Sequence, residues 1–102
     1  MIAQDILSLL RKESSFFDSP IHGVKNWQTV ERNAHYLASF NNADTEVLSY
    51  FAYFHDCMRQ NEHIDKGHGP RGASFAIKHR DKIPLNDIQF KQLTDACNGH
   101  TY

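Results

Sequence analysis

The segment TEVLSYFAYFHDCMR, residues 45 to 59, constrains the fold of this chain more than any other stretch. When it is drawn as a helix, apolar residues fall on almost every side. They are Val47, Leu48, Tyr50, Phe51, Ala52, Tyr53 and Phe54. A helix that is apolar all round is stable only when other elements surround it. With Asp44 as its N-cap and Glu46 complementing the helix dipole, we predict a central helix over residues 45–59.

Four other segments carry apolar residues at helical spacing. We predict helices over residues 2–17 and 26–40, before the central helix. A fourth begins at Pro70, because proline is favoured in the first helical turn, and ends near residue 80. Asn86 and Gln89 have the spacing of a capping box and open a fifth helix. Strand-like alternation is absent, so the predicted fold class is all-α, with about five helices packed as a bundle.

The same spacing predicts which residues face the core. For the second, fourth and fifth helices these are Trp27, Val30, Ala34, Leu37, Ala38, Ala73, Ala76, Ile77, Ile88, Leu93, Ala96 and Cys97. Cys57 and Cys97 both lie in apolar helical stretches, which favours buried free thiols over a disulfide and indicates a reducing compartment.

The length and charge of the chain limit its partners. Its 102 residues are enough for one domain, 1–102, with a modest core. Its 11 basic and 12 acidic residues nearly cancel, so we expect neither a nucleic-acid polymer nor an anionic membrane as partner. Because there is no long apolar run and no leader pattern, we expect a soluble, cytoplasmic protein.

His55 and Asp56 raise the question of a metal site. With 7 histidines in the chain, chance alone gives about half a His-Asp dipeptide, so the pair needs support from its context. An aspartate at the end of an apolar helix is costly to bury unless a cation compensates it. A metal ion would compensate Asp56 and use the neutral imidazole of His55. The pair could equally finish the helix outside the core.

The segment GHGPRG, residues 67 to 72, is a second candidate site. His68 precedes a predicted helix start, where free N–H groups favour an anion, and Arg71 adds a fork suited to phosphate. An ordinary helix start with a solvated arginine is the alternative. Arg59 is either a phosphate contact or a surface partner for Glu62. The other histidines, His22, His35, His63 and His79, are interpreted as surface residues.

Three stretches together resemble the HD-domain superfamily of metal-dependent phosphohydrolases. They are SPIHGVKNWQTVERNAHYLA, FAYFHDCMRQNEHIDKGHGPRGA and LTDACNGHT, and their order and spacing match a bacterial subgroup after residue 18. The chain covers roughly the first half to two-thirds of that domain. The resemblance implies an all-helical fold and a divalent ion that activates water against a phosphoester. His55 and Asp56 take the place of the namesake pair, as metal ligands and catalytic residues.

The resemblance also implies an altered metal site. Asn26 stands where the family has its first metal histidine, and its amide oxygen is a weaker ligand or a water-positioning group. The family's last metal aspartate lies on a later helix, beyond Tyr102. His68 and His100 match histidines of the subgroup and are candidate ligands in a rearranged site. We therefore expect a divalent ion to be weakly bound or absent.

The implied function follows from these matches. Arg59, His68 and Arg71 are candidate phosphate contacts, so a phosphorylated small molecule or nucleotide is the expected ligand. We expect a truncated phosphohydrolase-like domain, lacking the family's C-terminal helices, whose activity is weak or lost. A non-catalytic binding or oligomerisation module is the alternative, and a fragment of a longer domain is a third reading. With helices missing, the aromatic third helix is expected to stay partly uncovered and to drive a homodimer.

Overall fold

The structure, a computed structural model, describes residues 2–41, 43–61 and 65–99. Five α-helices follow one another along the chain, with a short 3₁₀ turn between the last two. They are α1 (Gln4–Glu13), α2 (Val24–Asn41), α3 (Thr45–Phe54), α4 (His68–Lys78) and α5 (Asp87–Gly99), and the 3₁₀ turn is Arg80–Lys82. The described ranges contain no strand, and the all-α prediction is confirmed. None of the helices in these ranges is long and apolar enough to cross a membrane.

Helix α3 lies at the centre and packs against α2, α4 and α5. Tyr50, Tyr53 and Phe54 are all buried in the single chain. Trp27 of α2 packs edge-on against Tyr53, and Phe75 of α4 lies against Phe54. The expectation that α3 stays partly uncovered is therefore wrong for these three aromatic side chains, whereas Phe51 is half-buried.

Two helices end earlier than the sequence pattern predicts. Helix α3 stops at Phe54, so His55 is its C-cap and Asp56 lies in the following turn. Helix α1 stops at Glu13, where Ser14 turns to an extended backbone. The buried Ser14 hydroxyl donates to the Cys57 carbonyl at 2.6 Å. This tertiary hydrogen bond joins the end of α1 to the turn after α3. The apolar spacing had predicted that the first helix continues to residue 17.

Helix α4 begins at His68, two residues before the predicted start, and packs through its smallest residues. A Cβ on Gly72 would lie 2.1 Å from the Phe54 carbonyl oxygen, so only glycine allows this approach of α4 to α3. Ala73 and Ala76 are buried as predicted, whereas Phe75 is also buried and Ile77 is exposed. Which face of α4 is buried is therefore set by the close approach of α4 to α3 at Gly72, and not by which side chains are largest.

Three further inward-facing predictions are wrong, including that for Ala96 of α5, which is exposed. Leu37 of α2 and Ile88 of α5 are 61% and 74% exposed. No neighbouring helix covers these two side chains, although Ala38, the residue after Leu37, is buried. Trp27, Ala38, Leu93 and Cys97 are buried as predicted.

The starts of α3 and α5 are capped as the sequence indicates. Asp44 accepts hydrogen bonds from the backbone N–H groups of Glu46 and Val47 at the start of α3. Asn86 and Gln89 form the reciprocal capping box at the start of α5. The amide nitrogen of Gln89 also donates to the second Asp44 oxygen at 2.9 Å, which joins the two helix starts.

Candidate functional site

Asp56 is the centre of a buried polar cluster. Its side chain is 4% exposed, and its Oδ1 atom accepts a hydrogen bond from Arg59 Nε at 2.5 Å. Its Oδ2 atom lies 3.2 Å from Nδ1 of His22, and Nε2 of His68 lies 3.7 Å from Oδ1. The carboxylate is thus surrounded by groups from the turn before α2, the turn after α3 and the start of α4.

His22 was interpreted as a surface residue, and this is wrong. It is half-buried and contacts Asp56, 34 residues away. The turn that places it is tight, since a Cβ on Gly23 would lie 2.4 Å from the carbonyl oxygens of Phe17 and Ser19. Gly23 is typical of a turn, but the closeness of His22 to Asp56 depends on tertiary packing, which the spacing of residues in the sequence does not reveal.

The other histidines interpreted as surface residues also have neighbours in the structure. His35 lies with its Nε2 atom 2.7 Å from the hydroxyl of Ser49, which is buried in α3. The ring of His79 packs against Phe75, with centroids 4.7 Å apart. His63 lies outside the described residues.

His55 is buried at the end of α3. Its Nδ1 atom donates to the Phe51 carbonyl at 3.0 Å, and its ring stacks on the Phe51 ring. Burial lowers the pKa of His55 below its ordinary value, although the nearby Asp56 charge partly opposes this. His55 is therefore neutral at physiological pH, with one ring nitrogen already used by the backbone.

His68 is fully buried as the first residue of α4. Its Nδ1 atom donates to the Asp65 carbonyl, which turns its Nε2 atom toward Asp56. His68 was predicted as both a metal ligand and a phosphate contact. The structure places it in the Asp56 cluster, and it does not line the pocket described below.

Asp65 and Arg71 form a second pair beside the Asp56 cluster. Nη2 of Arg71 lies 2.6 and 2.5 Å from the two Asp65 oxygens, and Nε donates to the Met58 carbonyl at 2.9 Å. Asp65 also accepts the backbone N–H of Gln60. Burial alone would raise the pKa of Asp65, but the hydrogen bonds from Arg71 and Gln60 overcome this and lower it to about 2. The pair fixes the orientation of the Arg71 guanidinium.

A pocket of about 360 Å³ lies between the end of α1, the turn after α3 and the outer side of α4. Three cationic residues line it, namely Arg59, Arg71 and Lys78. The rest of the wall includes Glu13, Ser15, Met58, Gln60, Ser74 and Phe75. Two of the three predicted phosphate contacts, Arg59 and Arg71, therefore share one pocket. Lys78 and Ser74 were missed, although their spacing from Arg71 places them on the same side of one helix.

The predicted metal ligands fit a divalent ion poorly in this arrangement. Asp56 Oδ1 is already covered by the Arg59 guanidinium, so an ion there would have to displace it. Asn26 is half-buried in the first turn of α2 and makes no hydrogen bond to Asp56, and His100 lies outside the described residues. Within the described ranges, no group of three or more His, Cys, Asp or Glu side chains is placed to hold a metal.

Neither cysteine is suited to nucleophilic chemistry. Cys57 and Cys97 are buried free thiols, as predicted. Burial raises the pKa of Cys57 well above its ordinary value and that of Cys97 to about 12, so both are protonated at physiological pH.

The described fold and site define an all-α protein with a buried carboxylate cluster beside a pocket lined by cationic side chains. No family model, curated protein or solved structure matches this chain. Membership of the HD-domain superfamily therefore stays a prediction from the sequence.

Proposed function

We propose that this protein is an HD-domain-like binding module that holds the phosphate group of a small molecule or nucleotide in the Arg59–Arg71–Lys78 pocket. Its phosphohydrolase activity is weak or lost. The observation that supports this is the placement of two arginines on one pocket, each oriented by a buried aspartate. A guanidinium held in place loses less freedom on binding an anion than a mobile one.

Arg71 supplies the clearest donor. Its Nε and Nη2 atoms are used by Met58 and Asp65, and among the described residues Nη1 has no acceptor. The side chain is 31% exposed, so a ligand can reach it from the pocket. A planar guanidinium with one amino group available donates well to a phosphate oxygen.

Lys78 adds charge on the same side of α4. It lies two turns after Arg71, is exposed, and makes no ion pair within the described ranges. Ser74 lies between them and contributes a hydroxyl to the wall. Because Arg59 and Arg71 are balanced by Asp56 and Asp65, Lys78 is the cationic side chain of this wall that has no acidic partner within the described ranges.

The contact between Arg59 and Asp56 supports the proposed loss of catalysis. A phosphohydrolase of this class uses a metal ion to polarise water and the phosphoryl group. Here a protein cation compensates the buried aspartate instead. The alternative, a metal-dependent phosphohydrolase acting through His55 and Asp56, needs Arg59 to leave this position when the ion binds.

Thermal unfolding with inorganic phosphate tests the binding function. Phosphate should raise the melting temperature, since a ligand that binds only the folded state stabilises it. Lys78→Gln should reduce this shift, while Lys82→Gln, an exposed change outside the pocket, should not. An equal shift in both variants, or an equal shift with sodium chloride at matched ionic strength, would overturn the proposed site.

A phosphatase assay tests the catalytic part. We expect no turnover of p-nitrophenyl phosphate above background with added Mg²⁺, Mn²⁺ or Zn²⁺. Metal-dependent turnover that Asp56→Asn abolishes would instead establish the phosphohydrolase.

A further inference from the structure

We propose that the ligand of this pocket carries an ammonium group as well as a phosphate, and that Glu13 binds the ammonium. This inference rests on the proposed function, because it places a second group of the same ligand. The pocket wall contains one carboxylate, Glu13, in addition to its three cationic residues.

Glu13 occupies an electrostatically unfavourable position. It is the last residue of α1, and the C-terminal end of a helix carries a partial negative charge that repels an acidic side chain. Across the described ranges Glu13 makes no ion pair. An ammonium group beside it would be attracted by both the carboxylate and the helix end.

Lys78 and Glu13 are the two pocket charges without a counter-charge in the described structure. Arg59 is paired with Asp56 and Arg71 with Asp65, whereas Lys78 and Glu13 lie on different helices and form no ion pair with each other. A phosphate alone would be attracted by Lys78 and repelled by Glu13. A ligand with charges of both signs complements both residues.

The apolar part of the wall suits the connection between these groups. Met58 and Phe75 line the same pocket, so a short carbon chain can lie against them. A small phosphorylated amine has this composition: a phosphate for the Arg71 and Lys78 side, a short alkyl link, and an ammonium for Glu13. The ligand is therefore a phosphorylated amine, and its ammonium group makes the pocket prefer it over a phosphate compound without an amine.

Isothermal titration of the full chain with phosphoethanolamine and ethyl phosphate tests the inference. The two probes are similar in size and differ in the ammonium group. Phosphoethanolamine should bind about threefold to tenfold more tightly, the scale expected for one exposed ion pair aided by a helix end. Glu13→Gln should abolish this preference and leave ethyl phosphate binding equal or tighter. Glu46→Gln, an exposed change in the first turn of α3, is the matched control and should keep the preference.

The outcomes separate the two proposals. Equal binding of both probes by the unmodified protein, or a preference that persists in Glu13→Gln, overturns the ammonium site and leaves the phosphate site standing. Absence of binding by both probes overturns the proposed function and this inference together.

Discussion

Nε of Arg59 lies 2.5 Å from Oδ1 of Asp56, and both side chains are buried. A buried aspartate needs a compensating cation, and in this protein the cation comes from the same turn, three residues along the chain. Because Asp56 is also a predicted metal ligand, the stability of the fold depends on which cation, Arg59 or a metal ion, compensates its charge.

Removing Arg59 should destabilise the protein and make it possible for another cation to stabilise it. Arg59→Met leaves the Asp56 charge buried without its main partner, and we expect a loss of about 3 to 5 kcal/mol in the free energy of unfolding. Added Mn²⁺ or Zn²⁺ should restore part of this loss, since the side chains of His22 and His68 already lie beside the Asp56 carboxylate and could bind the metal with it. Urea unfolding with and without metal measures both effects.

Arg32→Met is the control for this experiment. Arg32 is exposed on α2, and its replacement should change stability by less than about 0.5 kcal/mol with no response to metal. If metal stabilises the two variants equally, binding takes place away from Asp56.

The Asp65–Arg71 pair should make stability depend on pH in the acid range. The pKa of Asp65 is lowered from 3.8 to about 2, so its contribution is fully present above about pH 4 and is lost as the pH falls through about 2. Asp65→Asn should therefore cost about 2 kcal/mol at neutral pH and progressively less toward pH 2. Denaturant unfolding from about pH 7 to about pH 2 measures the difference.

The matched change for this prediction is Asp81→Asn. Asp81 is exposed and makes no ion pair among the described residues, so its replacement should leave the pH profile close to that of the unmodified protein. A constant difference between Asp65→Asn and the unmodified protein across the acid range would contradict the predicted linkage.

Gly72 should tolerate no side chain. In Gly72→Ala the new Cβ meets the Phe54 carbonyl oxygen at 2.1 Å, and that oxygen belongs to the backbone, so α3 and α4 must separate. We expect a loss of about 3 kcal/mol or more, at the upper end of overpacking effects. In Gly99→Ala nothing lies within 4 Å of the new Cβ, and stability should stay equal or rise slightly. Thermal unfolding of the two variants gives the comparison, and similar melting temperatures would refute the close approach.

A homodimer stays a prediction, and three exposed apolar side chains close together on α2, rather than on α3, are the candidate contact surface. Tyr36, Leu37 and Phe40 are 68%, 61% and 72% exposed, and the Tyr36 and Phe40 rings are in contact. If the protein dimerises at micromolar concentration, Leu37→Glu should weaken the dimer and Ile88→Glu should not. Light scattering that gives 11.8 kDa for the unmodified protein throughout this range would exclude the dimer.

Much of the fold could be predicted because its signals are local. The all-round apolar α3 segment, the Asp44 cap and the Asn86–Gln89 capping box each depend on residues a few positions apart. Spacing predicted less well which face is buried. Ile77 is exposed because Gly72 brings α4 against α3, and that approach depends on backbone geometry.

The candidate site was only partly predictable for the same reason. Asp56, Arg59, His68 and Arg71 were selected from their local sequence, and the structure places them in two adjoining clusters. His55 was selected in the same way and contacts Phe51 instead. The contact of His22 with Asp56 and the pocket wall formed by Glu13 and Lys78 depend on how distant segments pack. One sequence contains no direct signal for such distances.

The hydrogen bond from Ser14 to the Cys57 carbonyl joins residues 43 positions apart, and the contact of His22 with Asp56 spans 34. Such contacts form only after a long loop has closed, and the chain entropy lost in closure comes before any stabilisation they give. Helices α2 and α3 are sequence neighbours and can pair without this delay. A newly synthesised chain should therefore gain its paired helices before the pocket takes shape.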